Sequence, residues 1–112
     1  MTQRSGRHNV AAMALTDPYA ALRDDVMRRV LEGPGESDSA VRQASADGYG
    51  APADLQPLVE KIHHYAYRVT DEDVASLQKK YGDDQMFEII VSASVGASRR
   101  RLLAGLQALE EA

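Results

Sequence analysis

The stretch Met86–Leu109, MFEIIVSASVGASRRRLLAGLQAL, decides the fold because it is the longest and most apolar helical pattern in the chain. Treated as a helix from about residue 84 to residue 110, it would be roughly 40 Å long at about 1.5 Å per residue. A helix of that length crosses a whole small domain. The rest of the chain is therefore predicted to pack against it.

The large apolar residues of this stretch predict one broad buried face. At about 100° per residue, the residues that share this face are Phe87, Ile90, Val91, Val95, Leu102, Leu106 and Leu109. Ile89, Ala93 and Leu103 lie on the opposite side with Gly96, so the first half of the helix is apolar nearly all round. One small chain can hardly cover both sides, and we therefore expect a homo-oligomer.

The composition indicates one soluble, cytoplasmic domain. The chain has 112 residues, a net charge of −4 and 5% aromatic residues, and no apolar run reaches the ~18 residues of a membrane span. Residues 1–15 are predicted to be a disordered tail, because the apolar run Val10–Leu15 is too short for a signal peptide. Residues 16–112 then form a single helical domain. The absence of cysteine excludes disulfides, thiolate metal sites and a cysteine nucleophile on this chain.

Four further helices are predicted before the long one, each bounded by capping or helix-breaking residues. The first begins at Thr16-Asp17-Pro18 and ends at Gly33-Pro34-Gly35. The next three are predicted from Ser39 to about Asp47, from about Asp54 to Arg68, and from the capping box Thr70–Asp73 to Gly82. The predicted fold class is all-α, a compact array of about five helices with a long C-terminal helix.

The second half of the chain carries a recognisable order of features. A helix ending AYRV is followed by the capped turn VTDEDVASL, the acidic link GDDQ and the helix FEIIVSASVGASRRRLLAGL. From Leu58 to Leu109 this order resembles the carboxymuconolactone decarboxylase and alkylhydroperoxidase D superfamily. The resemblance implies an all-helical, alkylhydroperoxidase D-like subunit that assembles into trimers or hexamers.

The resemblance also indicates which chemistry is missing. In peroxidatic members a glutamate opens the long helix and is followed by a Cys-x-x-Cys pair and a histidine. Glu88 matches the glutamate, whereas the other positions fall near Arg100, Leu103 and Gln107. Attack on a peroxide needs a thiolate and its resolution needs a second thiol. The sequence therefore predicts no thiol peroxidase activity for this chain.

Glu88 is the first candidate for catalysis. It borders the apolar face of the long helix, where loss of hydration raises the pKa of a carboxyl group and suits a general acid or base. The alternative is a structural role, in which Glu88 forms an ion pair or hydrogen bond with Arg99 or with a neighbouring helix.

His63 and His64 are the other candidate proton carriers, on the polar face of the third helix. His63 is predicted to form a polar cluster with Glu60 and Tyr67 that can line a pocket in an oligomer. Tyr67 is therefore a candidate substrate-binding residue. The alternative is a solvated helix face without a ligand.

Arg101 is the candidate anchor for a small carboxylate ligand, because its guanidinium projects into a patch of small residues on the long helix. Pairing with a carboxylate, with carbonyl groups or with a partner subunit is the structural alternative. The neighbouring Arg99 and Arg100 point in other directions around the helix, and the chain is acidic, so no nucleic-acid partner is expected.

Neither a metal site nor a cofactor is predicted, because the histidines and acidic runs lack the spacing of metal ligands and the acids suit helix caps. Two functions remain open. The first is an oligomeric binding or structural subunit. The second is an acid–base enzyme of the decarboxylase or lactone type, in which Glu88 acts with His63 or His64.

Overall fold

The computed structural model describes residues 19–111, and all regular structure in this part is helical. Its elements are α1 (Ala20–Glu32), α2 (Ser39–Asp47), α3 (Gln56–His64), a 3-10 turn (Ala66–Arg68) and α4 (Asp71–Glu111). The predicted all-α class, and within it the long C-terminal helix, are confirmed. The predicted tail and the helix start Thr16–Pro18 lie outside the described residues.

Gly82 divides α4 into two arms, residues 71–81 and residues 83–111. It has φ 78° and ψ 168° inside the element, a conformation that glycine adopts readily and residues with a Cβ do not. The predicted helix boundary at Gly82 is confirmed. The capping box at the start of the first arm is also present: the Thr70 N–H donates to Asp73 Oδ2 at 2.9 Å, and the Asp73 N–H donates to Thr70 Oγ1 at 3.3 Å.

The hydrophobic core lies between α3 and both arms of α4. Its buried cluster comprises Leu55, Leu58, Ile62, Met86, Ile89 and Ala93. Val74 and Leu77 of the short arm pack against this cluster from one side. The kink at Gly82 thus lets one continuous element contribute to two walls of the core.

Helix α2 crosses the long arm where its side chains are smallest. A Cβ added at Gly96 would overlap the backbone of Ala46 in α2, and Ser92, Ala93 and Ala97 beside it are buried. The two helix backbones therefore approach closely only because residue 96 is a glycine.

The predicted buried face of α4 is wrong for three of its seven residues, although Ile90 packs against the core cluster. Phe87 is 69% exposed, Leu102 is 42% exposed and Leu109 is 61% exposed. The buried residues, here called the inner face, are Met86, Ile89, Ser92, Ala93, Gly96 and Ala97. Small side chains admit the backbone of α2, so residue size rather than apolarity decides which side of α4 packs against its own chain.

Helix α3 ends at His64, four residues before the predicted end at Arg68. Tyr65 leaves helical geometry with φ −143° and ψ 49°. The His63 carbonyl, which would accept the N–H of residue 67 in a continued helix, accepts instead from Arg101 Nη2 at 2.6 Å. A side chain of the long arm thus occupies the end of α3, and a 3-10 turn follows.

Candidate functional site

The carboxylate of Glu88 connects α4 to the loop before α2. Oε2 accepts the backbone N–H of Glu36 at 2.9 Å, while Oε1 accepts the Ser37 N–H at 3.1 Å and the Ser37 hydroxyl at 2.7 Å. A Cβ at Gly35 would overlap this carboxylate. The loop therefore wraps directly around the group that was predicted to catalyse.

These contacts favour the ionised form of Glu88. Burial raises the pKa of its carboxyl group, but the hydrogen bonds from Ser37 and from the Glu36 and Ser37 N–H groups, with the nearby charge of Arg42, outweigh it. The net pKa lies below its ordinary value. The sequence predicts a raised pKa for Glu88, whereas these contacts lower it.

Arg42 completes this cluster from α2. Its Nη1 donates to the Val30 carbonyl at 2.8 Å and its Nη2 donates to the Gly33 carbonyl at 2.6 Å, while its Nε lies 4.0 Å from Glu88 Oε1. The side chain is 5% exposed. A buried guanidinium bound to the C-terminal carbonyls of α1 and facing Glu88 holds α1, α2 and α4 together.

His63 is buried rather than solvated. Its Nε2 lies 2.8 Å from the Ser45 carbonyl oxygen, which can only accept, so Nε2 carries the proton. Its Nδ1 has no hydrogen-bond partner in the described part of the chain, and Gly48 packs against the ring. Only 2% of the residue is exposed. This arrangement gives a ligand no direct access to the ring.

His64, Tyr65, Tyr67 and Arg68 form an exposed cluster beyond α3. Tyr67 is 78% exposed. The Arg68 guanidinium lies 5.1 Å from the centroid of the Tyr65 ring and 5.6 Å from that of Tyr67, distances at which a cation and an aromatic ring attract. Glu60 instead accepts from Gln56 Nε2 at 3.3 Å, so the predicted cluster of His63, Glu60 and Tyr67 does not form.

The structure therefore distributes the five predicted site residues over three places. Glu88 lies in the loop cluster, His63 and Arg101 meet at the end of α3, and His64 and Tyr67 lie in the exposed aromatic cluster. Arg101 donates a hydrogen bond to the His63 backbone carbonyl. These residues do not converge on one cavity.

An apolar groove, here called the outer groove, runs between α1 and the long arm of α4. It has a volume of about 840 Å³ and is lined on the α1 side by Tyr19, Leu22 and Val26 and on the α4 side by Ser94, Val95, Ser98 and Leu102, among others. Tyr19, Leu22 and Leu102 are 65%, 58% and 42% exposed. Val95 and Leu102, two of the residues predicted to form the buried face of the long helix, line this groove.

No family model, no curated protein and no solved structure matches the chain. The resemblance to the carboxymuconolactone decarboxylase superfamily therefore stays a prediction.

Within residues 19–111 no helix combines the length and the apolarity needed to cross a membrane. In the same range, no three histidine, aspartate or glutamate side chains come together as a set of metal ligands.

Sequence reasoning did not identify Arg42 and Ser37 as the partners of Glu88. One signal was present for Arg42, since a charged residue stands among the small apolar residues Val41, Ala44 and Ala46 of α2. Such a residue needs a buried partner. A single sequence does not tell which carboxylate and which carbonyl groups supply it.

Proposed function

We propose that the chain is a subunit of a homo-oligomer that serves in binding or structural support and has no thiol peroxidase activity. The outer groove is the observation that carries the proposal. Burying a leucine or valine side chain stabilises by about 1.5–3 kcal/mol, and the groove leaves several such side chains exposed on one continuous surface. Contiguous apolar patches of this kind mark contact sites.

Helix α1 gives the first reason to place a second copy in the groove. Of the 13 residues of α1, Leu31 alone is buried. Leu22 and Val26 are 58% and 47% exposed. Helices of this length are marginal in water without tertiary packing. A second copy that covers Leu22 and Val26 would give α1 the packing that it lacks within residues 19–111.

The charges around the groove give the second reason. Asp24 and Arg99 line the groove with Arg23, and Asp24 lies 3.5 Å from Arg99. A rim that carries both signs is complementary to another copy of itself, as contacts between identical subunits require. A strongly acidic or strongly basic partner fits such a rim less well.

The absence of thiol peroxidase activity follows from chemistry. The chain has no cysteine, and neither the attacking thiolate nor the resolving thiol of that reaction has a substitute among Arg100, Leu103 and Gln107. The acid–base alternative has less support, because Glu88 is enclosed by the Ser37 loop and the His63 ring is bound to Ser45.

The proposal is tested by sedimentation velocity of the full chain over a range of concentrations. We expect an oligomer, and the double variant Leu22→Asp with Leu102→Asp should sediment as a monomer with unchanged helical circular dichroism. The matched control is the double variant Ala75→Asp with Ser76→Asp, which adds the same two negative charges at exposed positions on the short arm of α4. A monomeric wild-type chain at all concentrations would overturn the proposal.

The subunit number comes from the resemblance alone. The alkylhydroperoxidase D-like assembly implies three or six copies, so we expect a mass of three or six times 12.2 kDa. A dimer would agree with association through the outer groove and would contradict the family-based number.

A further inference from the structure

A recess beside the outer groove opens where α1, α2 and the long arm of α4 meet. Its volume is about 630 Å³, within the range of small-molecule sites. Met27 and Leu31 of α1 and Leu103 of α4 form an apolar wall. Gly96 on α4 lies at its base against Ala46 of α2.

Two opposite charges also line the recess. Asp47 of α2 and Arg100 of α4 both line it. Asp47 accepts a hydrogen bond from Gln43 at 3.2 Å, and Arg100 forms no hydrogen bond or ion pair with residues 19–111. The two opposite charges therefore border one cavity without neutralising each other.

The remaining polar groups that line the recess either pair with each other or lie near one of the two charges. Asp24 and Arg99, at the edge, pair with each other at 3.5 Å, which leaves Asp47 and Arg100 as the charges available to a ligand. Gln43 lies one turn before Asp47 on α2, and Gln107 lies two turns after Arg100 on α4. Each charge is thus accompanied on its own helix by an amide that can donate or accept.

From this arrangement we propose that the recess binds a small zwitterion with an apolar body, an apolar amino acid or short peptide. Its carboxylate lies at Arg100, because a guanidinium binds a carboxylate in a bidentate manner. Its ammonium group lies at Asp47, and its apolar side chain packs against Met27, Leu31 and Leu103. A purely anionic ligand would leave Asp47 facing a like charge, and a purely cationic ligand would do the same at Arg100.

The recess shares Asp24, Met27, Arg99 and Leu103 with the outer groove, so only its other polar residues separate it from the proposed assembly surface. Gln43, Asp47, Arg100 and Gln107 do not line the outer groove, and neither Leu22 nor Leu102 lines the recess. Ligand binding is therefore measured on the wild-type chain and on the Leu22→Asp/Leu102→Asp variant. If the wild-type chain is monomeric and binds the ligand, the ligand-binding proposal is supported and the homo-oligomer proposal is contradicted. If the wild-type chain is an oligomer and binds no ligand, the homo-oligomer proposal is supported and the ligand-binding proposal is contradicted.

Isothermal titration calorimetry with three matched probes tests the recess: the dipeptide leucyl-leucine, its N-acetyl form and its C-terminal amide. The dipeptide should bind at millimolar concentration or below, and each capped form should bind roughly tenfold more weakly because one charge-assisted contact is lost. Asp47→Asn should abolish the discrimination against the N-acetyl form only. Arg100→Gln should abolish the discrimination against the amide only.

The control variant is Arg68→Gln, which makes the same change outside the recess and should leave all three affinities unchanged. Absence of dipeptide binding at millimolar concentration overturns the proposal. Equal binding of all three probes also overturns it, since the recess would then recognise the apolar body alone.

Discussion

The two sides of the long arm of α4 differ in what covers them. The inner face packs against α2 and α3 through small or medium side chains, with Gly96 against the Ala46 backbone. The outer face, here Phe87, Val91, Val95, Leu102 and Leu109, carries larger apolar residues, of which Phe87 is 69% exposed. Apolarity alone therefore does not locate the core, because the closest helix contact forms where the side chains are smallest.

The largest expected contrast between the faces comes from truncating one apolar residue on each. Ile89→Ala should reduce the free energy of unfolding by about 2–5 kcal/mol, because Ile89 is 1% exposed and its removal leaves a cavity. Phe87→Ala should change it by less than about 0.5 kcal/mol. Urea denaturation in the Leu22→Asp/Leu102→Asp background measures subunit folding alone, and equal losses would contradict the assignment of the faces.

Two glycines on the same helix sharpen the comparison. Gly96→Ala should destabilise by about 1–3 kcal/mol, because the added Cβ meets the Ala46 backbone. Gly105→Ala should stabilise by about 0.5–1 kcal/mol, because nothing lies within 4 Å of the new atom and alanine favours a helix. Thermal unfolding of the two variants checks this, and shifts of the same sign would show that α2 does not contact residue 96 closely.

Glu88→Gln tests the cluster that fixes the loop before α2. The substitution should destabilise by about 1–3 kcal/mol at neutral pH, because Glu36 and Ser37 lose a charged acceptor. The folded-state pKa of Glu88 lies below its ordinary value of 4.5. Its stabilising effect is therefore present above that pH and is lost as the pH falls through the folded-state pKa.

Denaturation of wild type and variant from pH 7 to pH 3 measures this dependence. The difference in their free energies of unfolding should shrink with acidification. A difference that grows towards acidic pH would mean that Glu88 has a raised pKa, as the catalytic hypothesis requires.

The smallest expected effect distinguishes two adjacent arginines. Arg101→Gln should cost about 0.5–1.5 kcal/mol, because Arg101 Nη2 binds the His63 carbonyl at 2.6 Å. Arg100→Gln should leave the free energy of unfolding nearly unchanged, since Arg100 has no hydrogen bond or ion pair within residues 19–111. Chemical denaturation of both variants gives the comparison, and a reversed order would contradict these positions.

Local signals predicted much of the fold. The capping box at Thr70, the break at Gly82 and the bounds of α2 follow from short-range backbone chemistry, and the structure has them. The packed side of α4 was predicted wrongly because both sides are apolar, and the choice depends on how closely another helix can approach. The close approach depends on the contact between Gly96 and Ala46, and the spacing of apolar residues within one helix does not predict a contact with another helix.

The candidate site was less predictable for the same reason. Sequence position made Glu88, His63 and Arg101 chemically plausible, but each is bound by a group distant in sequence: Ser37, the Ser45 carbonyl and the His63 carbonyl respectively. A single sequence shows that such groups need partners and does not name them. The apolar residues on both sides of the long helix led to the prediction that one chain cannot cover it, and the homo-oligomer stays a prediction.

Single cysteines test most directly whether the outer face meets another copy. The chain has no cysteine, so Ser98→Cys in the outer groove and Ser76→Cys on the short arm each give one site for a spin label. Double electron–electron resonance should show a dipolar distance between copies at position 98 that is shorter than that at position 76. No coupling at position 98, or a shorter distance at position 76, would contradict assembly through the outer groove.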